Sequence, residues 1–315
     1  MKNVVVIGGG TGLSTLLRGL KLFPISITAI VTVADDGASS GRLRREFDIP
    51  AVGDLRNVLV SLSSVEPLVE DLLQYRFNTY SDLDKHAFGN LMLTAMYDIT
   101  GSLTKSLESL SKIFNIKGKV LPITEDKAIL VAHTTDGKTI EGESKITKAG
   151  KHIKSISYKN RVKVTPEVIE AVQNADLIII GIGSLYTSII PNLLPREMKR
   201  ALKEAKAKKM YICNIMSEHG ETDNFNVSDC VKRINEYVDK KFIDVVLVND
   251  TKVPDEILEL YKVEKSSQIM LDREEIKKMN VELITADLLK IINNQVRHDN
   301  IKTALEVFTY LTKEK

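Results

Sequence analysis

The chain has 315 residues, with 44 Lys and Arg against 42 Asp and Glu for a net charge of +2, and it carries no extended basic block. That balance excludes the electrostatic footprint of a nucleic-acid-binding protein. Two distant cysteines, Cys213 and Cys230, build neither a zinc ribbon nor a disulfide framework, and no apolar run reaches the ~20 residues of a membrane span, so a soluble, cytoplasmic protein is expected.

The first predicted element is a strand that runs into glycines. Val4-Val5-Val6-Ile7 leads to Gly8-Gly9-Gly10-Thr11-Gly12, and Leu13, Leu16, Leu17 and Leu20 then follow at helical spacing. Bare backbone N–H groups at a helix start attract anions, so Gly8, Gly9, Gly10, Thr11 and Gly12 read as a phosphate cradle. The dinucleotide fingerprint is broken by Leu13 at the third glycine position, and no Lys-Ser or Lys-Thr completes a Walker loop. A second apolar run, 27–33, ends in Asp35-Asp36-Gly37-Ala38-Ser39-Ser40-Gly41-Arg42. Asp35 is placed to accept a sugar hydroxyl there, and Asp36 to hold Mg²⁺ against a phosphate.

Apolar residues at three- and four-residue spacing predict helices over 55–62, 67–77, 88–99 and 103–114, a cap or flank of the site. Gly53-Asp54-Leu55-Arg56-Asn57 starts the first, with Asp54 at the N-cap and Arg56 and Asn57 turned toward the cleft. His86 precedes Phe88-Gly89-Asn90-Leu91 at another helix start, and sequence pattern alone assigns it no acid–base role. After Gly118 the pattern changes to short alternating pieces at 119–123, 128–134, 138–146 and 152–158, punctuated by Asp136-Gly137. They predict a small antiparallel sheet inserted over 118–160.

A helix over 166–172 leads back to continuous Val- and Ile-rich runs at 177–182, 210–215, 245–248 and 281–284, and a helical pattern closes the chain at 304–311. Continuous rather than alternating runs mark parallel strands buried on both faces. The loop Gly181-Ile182-Gly183-Ser184-Leu185-Tyr186-Thr187-Ser188, followed by Pro191 and Asn192, repeats the strand-to-glycine pattern, so two anion-friendly loops suit a diphosphate. His219-Gly220-Glu221-Thr222-Asp223 is expected on the opposite wall. The predicted fold is α/β: a doubly wound, mostly parallel Rossmann-like sheet with a helical flank and a small inserted antiparallel sheet, one domain over 1–315. The candidate nucleotide-binding residues are Gly8, Gly9, Gly10, Thr11, Gly12, Asp35, Ser39, Ser40, Gly41, Arg42, Arg56, Asn57, Asn90, Gly183, Ser184, Thr187 and Asn192. No Gly-x-Ser-x-Gly surrounds Ser184, so acyl transfer finds no support.

Taken together, Gly8-Gly9-Gly10-Thr11-Gly12-Leu13, Thr32-Val33-Ala34-Asp35-Asp36-Gly37, Ser39-Ser40-Gly41-Arg42-Leu43-Arg44, Gly53-Asp54-Leu55-Arg56-Asn57, Phe88-Gly89-Asn90-Leu91 and Gly220-Glu221-Thr222-Asp223 resemble one family across most of the chain. It is the family of the YvcK-type gluconeogenesis factors, which bind UDP-sugars, and of their relatives, the CofD-type phospholactate transferases. Ser184-Leu185-Tyr186-Thr187-Ser188-Ile189-Ile190-Pro191-Asn192-Leu193 and Arg297-His298-Asp299 resemble the YvcK branch. The resemblance implies a CofD-like domain and a cytoplasmic bacterial factor that binds UDP-N-acetylglucosamine, with Tyr261 and Arg297 helping to hold the UDP-sugar. It further implies a role in gluconeogenic growth, cell-wall precursor supply and cell shape, a regulatory protein partner and a homodimer. Its alternative is an Mg-dependent phospholactate or uridylyl transferase on the same cradles, with Asp35 or Asp36 as the catalytic carboxylate on Mg²⁺ and Arg42 or Arg56 stabilising phosphate charge. The chain departs from the family pattern at Ala38 (usually glycine), at Ile182 (usually proline), at Ser217-Glu218-His219, and at Asn300, where some relatives carry a threonine open to phosphorylation.

Overall fold

Val4, Val5, Val6 and Ile7 are all buried, as residues of a strand covered on both faces are, and they form the middle of β1 (Lys2–Gly8). In the computed structural model, which describes residues 1–64 and 67–313, helix α1 (Gly10–Leu20) carries the chain over to β2 (Ile25–Val31), parallel to β1. Its Leu13, Leu16, Leu17 and Leu20 form the buried stripe that the sequence spacing predicted.

Helices α2 (Ala38–Glu46), α3 (Gly53–Leu62), α4 (Pro67–Gln74), α5 (Phe88–Thr100) and α6 (Leu103–Ile113) follow, and the chain returns to the sheet at β3 (Lys119–Pro122), parallel to β2. This corrects the expectation that 119–123 belongs to the inserted antiparallel sheet. Val120 and Leu121 are buried beside β2, and so short a strand carries no alternation to tell its sheet. The insert itself consists of β4 (Leu130–Thr134), β5 (Thr139–Glu141), α7 (Glu143–Ala149) and β6 (Ile153–Tyr158), with antiparallel order β5-β4-β6. The strand expected over 138–146 stops after three residues because Gly142, at φ +101°, turns the chain into α7. The insert is pinned to the main body through β6: Tyr158 Oη donates to Pro191 O at 3.0 Å, and the Ile156 amide donates to Tyr237 Oη at 2.8 Å.

Strands β7 (Leu177–Ile180), β8 (Lys208–Ile212), β9 (Val245–Asn249) and β10 (Glu282–Ala286) complete a seven-stranded parallel sheet of order β10-β9-β8-β7-β1-β2-β3. The chain thus winds outward from β1 on one side and from β7 on the other. The crevice beyond the C-terminal ends of β1 and β7 is the switch point at which open α/β sheets take ligands. A hairpin, β11 (Leu289–Ile292) and β12 (Gln295–His298), borders that crevice and is held there by His298, whose buried imidazole lies 3.1 Å from Cys213 O. Burial pushes this histidine down to about 4, so it is neutral at physiological pH. The terminal helix Asn300–Lys313 packs on α1 at Gly19, where a Cβ would fall 1.9 Å from Asn300 O.

Ala38, the first residue of α2, has φ +38°. The loop keeps a left-handed turn although an alanine occupies it, a conformation that costs an L-residue about 1–2 kcal/mol. Glycine would relieve that strain and lose about 0.4–1 kcal/mol through its freer unfolded chain. Ala38→Gly is therefore expected to stabilise the fold by about 0.5–1 kcal/mol, read as a higher denaturant midpoint; a lower midpoint would contradict the strain.

Candidate functional site

A cleft of about 640 Å³ lies at the switch point, bounded by the turn from β1 into α1 and by the loop that follows β7. Gly9, Gly10, Thr11 and Gly12 line one side, and Gly183, Ser184, Thr187 and Ser188 the other. The first loop needs glycine for two separate reasons. Gly10 sits at φ +67°, and a Cβ on Gly9 would fall 2.7 Å from Asp54 Oδ2 and 2.8 Å from Thr32 Cγ2. In the second loop a π-helical turn, Leu185–Ile189, begins against the buried Glu221, which accepts the Tyr186 amide at 2.8 Å and the Thr187 hydroxyl at 3.2 Å. Burial first, then the neighbouring Glu218, pushes Glu221 up to about 8. Asn214 fastens the same loop by donating to Gly183 O at 2.9 Å. Across the cleft stand Tyr261 and Arg297, braced on the β12 hairpin: Tyr261 Oη accepts the Val296 amide at 2.8 Å, and Arg297 Nη2 donates to Gln295 Oε1 at 2.6 Å.

Three carboxylates meet at one end of the cleft. Asp54 is not the N-cap of α3, which is Val52; it lies in the first turn, and the Gly10 amide donates to its carboxylate. Burial first and then Asp35 push Asp54 up to about 6. Glu143, delivered by α7 of the insert, is pushed up to about 7 by burial and then by Asp35. Among the described residues no group of three or more His, Cys, Asp or Glu side chains is arranged to hold a metal ion.

Beyond this acidic edge is a second cavity of about 330 Å³, into which the structure gathers Ser39, Ser40, Arg56, Asn57 and Asn90. His86 is buried behind it, its Nδ1 3.0 Å from Ser39 Oγ; burial, then Arg42, lowers its affinity for a proton.

Five residues expected at the ligand line neither cavity. Gly8 accepts the Thr32 amide at 3.2 Å and lies beneath the cradle. Asp36, expected to hold a metal, instead accepts the Ser144 amide at 2.8 Å and fixes the start of α7. Gly41 lies so close to the Asp36 carbonyl that a Cβ would fall 2.0 Å from its oxygen. Arg42 gives its guanidinium to the carbonyls of Asp82 and Asp84. Asn192 is fully buried and donates to Gly8 O at 3.0 Å and Ser188 O at 2.8 Å. Sequence reasoning in turn missed Glu143 and Asn214. Glu143 reaches the cleft only through the docking of the insert, which leaves no local signal, whereas Asn214 stands at the end of a buried run, where a polar residue was a usable one.

The family model described as 2-phospho-L-lactate transferase CofD matches residues 4–289. The gluconeogenesis factor of Bacillus subtilis is 49% identical over 302 residues, which cover 96% of this chain and 95% of that protein. A putative gluconeogenesis factor of Thermotoga maritima is 44% identical over 307 residues, 96% of each chain. A crystal structure of a Bacillus halodurans protein superposes with a TM-score of 0.95 at 46% identity, covering 98% of this chain and 99% of that one. On these near full-length matches the chain belongs to the CofD-like family, among the YvcK-type gluconeogenesis factors.

Proposed function

We propose that the protein is a regulatory factor that binds a UDP-sugar, UDP-N-acetylglucosamine, in the switch-point cleft and serves gluconeogenic growth, cell-wall precursor supply and cell shape. The observation that carries this reading is the continuity of one cleft from the two glycine loops to Tyr261 and Arg297. Its loops offer backbone N–H groups to a diphosphate, and its far wall offers a ring and a guanidinium to the remainder of the ligand. The physiological part rests on the names of the relatives from Bacillus subtilis and Thermotoga maritima, both called gluconeogenesis factors. In this reading the factor works in the cytoplasm as a homodimer and passes its signal to a protein partner. A second reading, Mg-dependent transfer of a phospholactyl or uridylyl group, draws support from the family model and from the carboxylates that border the phosphate cradle. Asp35, rather than Asp36, is then the carboxylate that shares the metal with ligand phosphates.

Calorimetry with UDP-N-acetylglucosamine, UDP-glucose, NADP and GTP, followed by product analysis of the same mixtures, tests both. The expected result is UDP-N-acetylglucosamine binding without product, weakened about tenfold or more in Arg297→Ala by loss of a charge-assisted hydrogen bond, and weakened also in Tyr261→Ala. Wild-type affinity in both variants would contradict the sensor site, and consumption of a nucleotide would favour the transferase.

The carboxylates make a separate prediction. The folded chain holds protons on Asp54 and Glu143 more tightly than the unfolded chain does, with pKa values of about 6 and about 7. Their contribution to the stability of the free protein is therefore fully present below the unfolded carboxylate range and is lost as pH rises through those values. Asp54→Asn is expected to raise the melting temperature above about pH 6 and to flatten its dependence on pH between about 4 and 6. An unchanged profile would show that the carboxylates do not strain one another.

A further inference from the structure

Arg56 lies in the first turns of α3, its stem packed on Gly89, where a Cβ would fall 2.9 Å from Arg56 Cγ and Cδ. The residue is only 5% exposed, yet one nitrogen alone is used: Nη2 donates to Asn57 Oδ1 at 2.8 Å, while Nε and Nη1 are buried without an acceptor. Asn90, 1% exposed, shows the complementary deficit. Its Nδ2 donates to Ser39 Oγ at 3.1 Å, and its Oδ1 has no donor. Both side chains line the cavity of about 330 Å³, which shares only Asp35, Asp54, Glu143 and Thr147 with the main cleft.

Buried polar atoms without partners are exceptions in folded proteins, and two unpaired sets around one cavity point to a ligand that completes them. The chemistry of that ligand follows from what is missing. Two guanidinium donors ask for an oxyanion, and Arg76 and Lys148 at the rim add positive charge. Asn90 Oδ1 and the carboxylates of Asp35 and Asp54 are acceptors, so the rest of the molecule must bring hydroxyl donors. Burial first and then Arg76 lower Arg56 to about 10, Asp54 and Asp35 oppose the shift, and the buried guanidinium stays charged at neutral pH.

We propose that this second cavity binds a small polyhydroxy oxyanion, its phosphate or carboxylate on Arg56 and its hydroxyls on Asn90 Oδ1 and the Asp35 edge, as a ligand distinct from the one in the main cleft. The cavity is of the size that holds a small metabolite rather than a nucleotide. The assignment does not depend on which molecule fills the main cleft. Its ligand, seated across the shared carboxylates, would be placed to report on or react to the occupancy of that cleft.

Calorimetric titrations with glycerol 3-phosphate, glycerate and inorganic phosphate test it, on the protein as it stands and on Arg56→Met, Asn90→Asp and Arg45→Met. Glycerol 3-phosphate or glycerate is expected to bind saturably and more tightly than inorganic phosphate, and the one that binds assigns the phosphate or the carboxylate class. Arg56→Met should weaken that binding about tenfold or more, since it removes a charge-assisted pair, and Asn90→Asp should do the same by setting a carboxylate against the anion. Arg45→Met, an exposed guanidinium of α2 that lines neither cavity, should leave it unchanged. Melting curves establish that each variant is folded, and Asn90→Asp decides alone if Arg56→Met is not. The proposal is overturned if neither organic probe binds, if binding survives unchanged in the folded variants, or if UDP-N-acetylglucosamine that itself binds displaces the probe competitively. Failure of UDP-N-acetylglucosamine to bind at all would touch only the reading of the main cleft.

Discussion

The side-chain amide of Asn192 joins the two halves of the molecule where they meet the ligand. It donates to Gly8 O at the end of β1 and to Ser188 O in the loop after β7. These two segments are adjacent strand ends whose connections run to opposite sides of the sheet, so their loops have no covalent reason to stay in register. A buried amide with both hydrogens on backbone carbonyls holds them at one spacing. The same approach leaves little room at Gly12, where a Cβ would lie 3.0 Å from Ile182 O. Every later feature of the cleft, from the cradle amides to the placement of Asp54 under Gly9, presupposes that separation.

The electrostatics of the site follow from the same crowding. Asp35, Asp54 and Glu143 arrive from the end of β2, from α3 and from the insert; after burial, Asp35 makes ionisation of Asp54 and of Glu143 harder, and Asp54 adds to the effect on Glu143. In a structure selected for stability alone such a cluster would be replaced by neutral groups, and its presence beside two anion-binding loops suits a site that expects a cation or hydroxyl donors. The partition into a main cleft and an arginine-lined cavity follows from this acidic edge, which belongs to both. Glu143 makes the insert part of the site. Its anchor is Asp36, whose carboxylate on the Ser144 amide secures the start of α7.

The legible parts of the fold were those set by local chemistry. Continuous β-branched runs gave the strands on either side of the switch point, and the glycines at their ends gave both loops, because backbone approach and positive φ leave few other residue types. Three features were not legible. β3 is a four-residue strand whose sheet is decided by a neighbour some ninety positions away in the chain, and the 138–146 stretch alternates like a strand until Gly142 turns it into a helix. Arg42 and Asn192 have the chemistry of ligand-binding residues and spend it on backbone carbonyls, a choice visible only in three dimensions. Arg56 and Asn90 were picked out by residue type, and it took the burial of their unpaired atoms to separate their cavity from the nucleotide cleft.

The most direct test of the central claim is a crystal structure of the protein saturated with UDP-N-acetylglucosamine. The account predicts the diphosphate between the two glycine loops, on the backbone amides of Thr11, Gly12 and Ser184, with Tyr261 and Arg297 against the rest of the ligand and the Arg56 cavity free of it. A diphosphate seated on Arg56, or a ligand outside the switch point, would contradict the account.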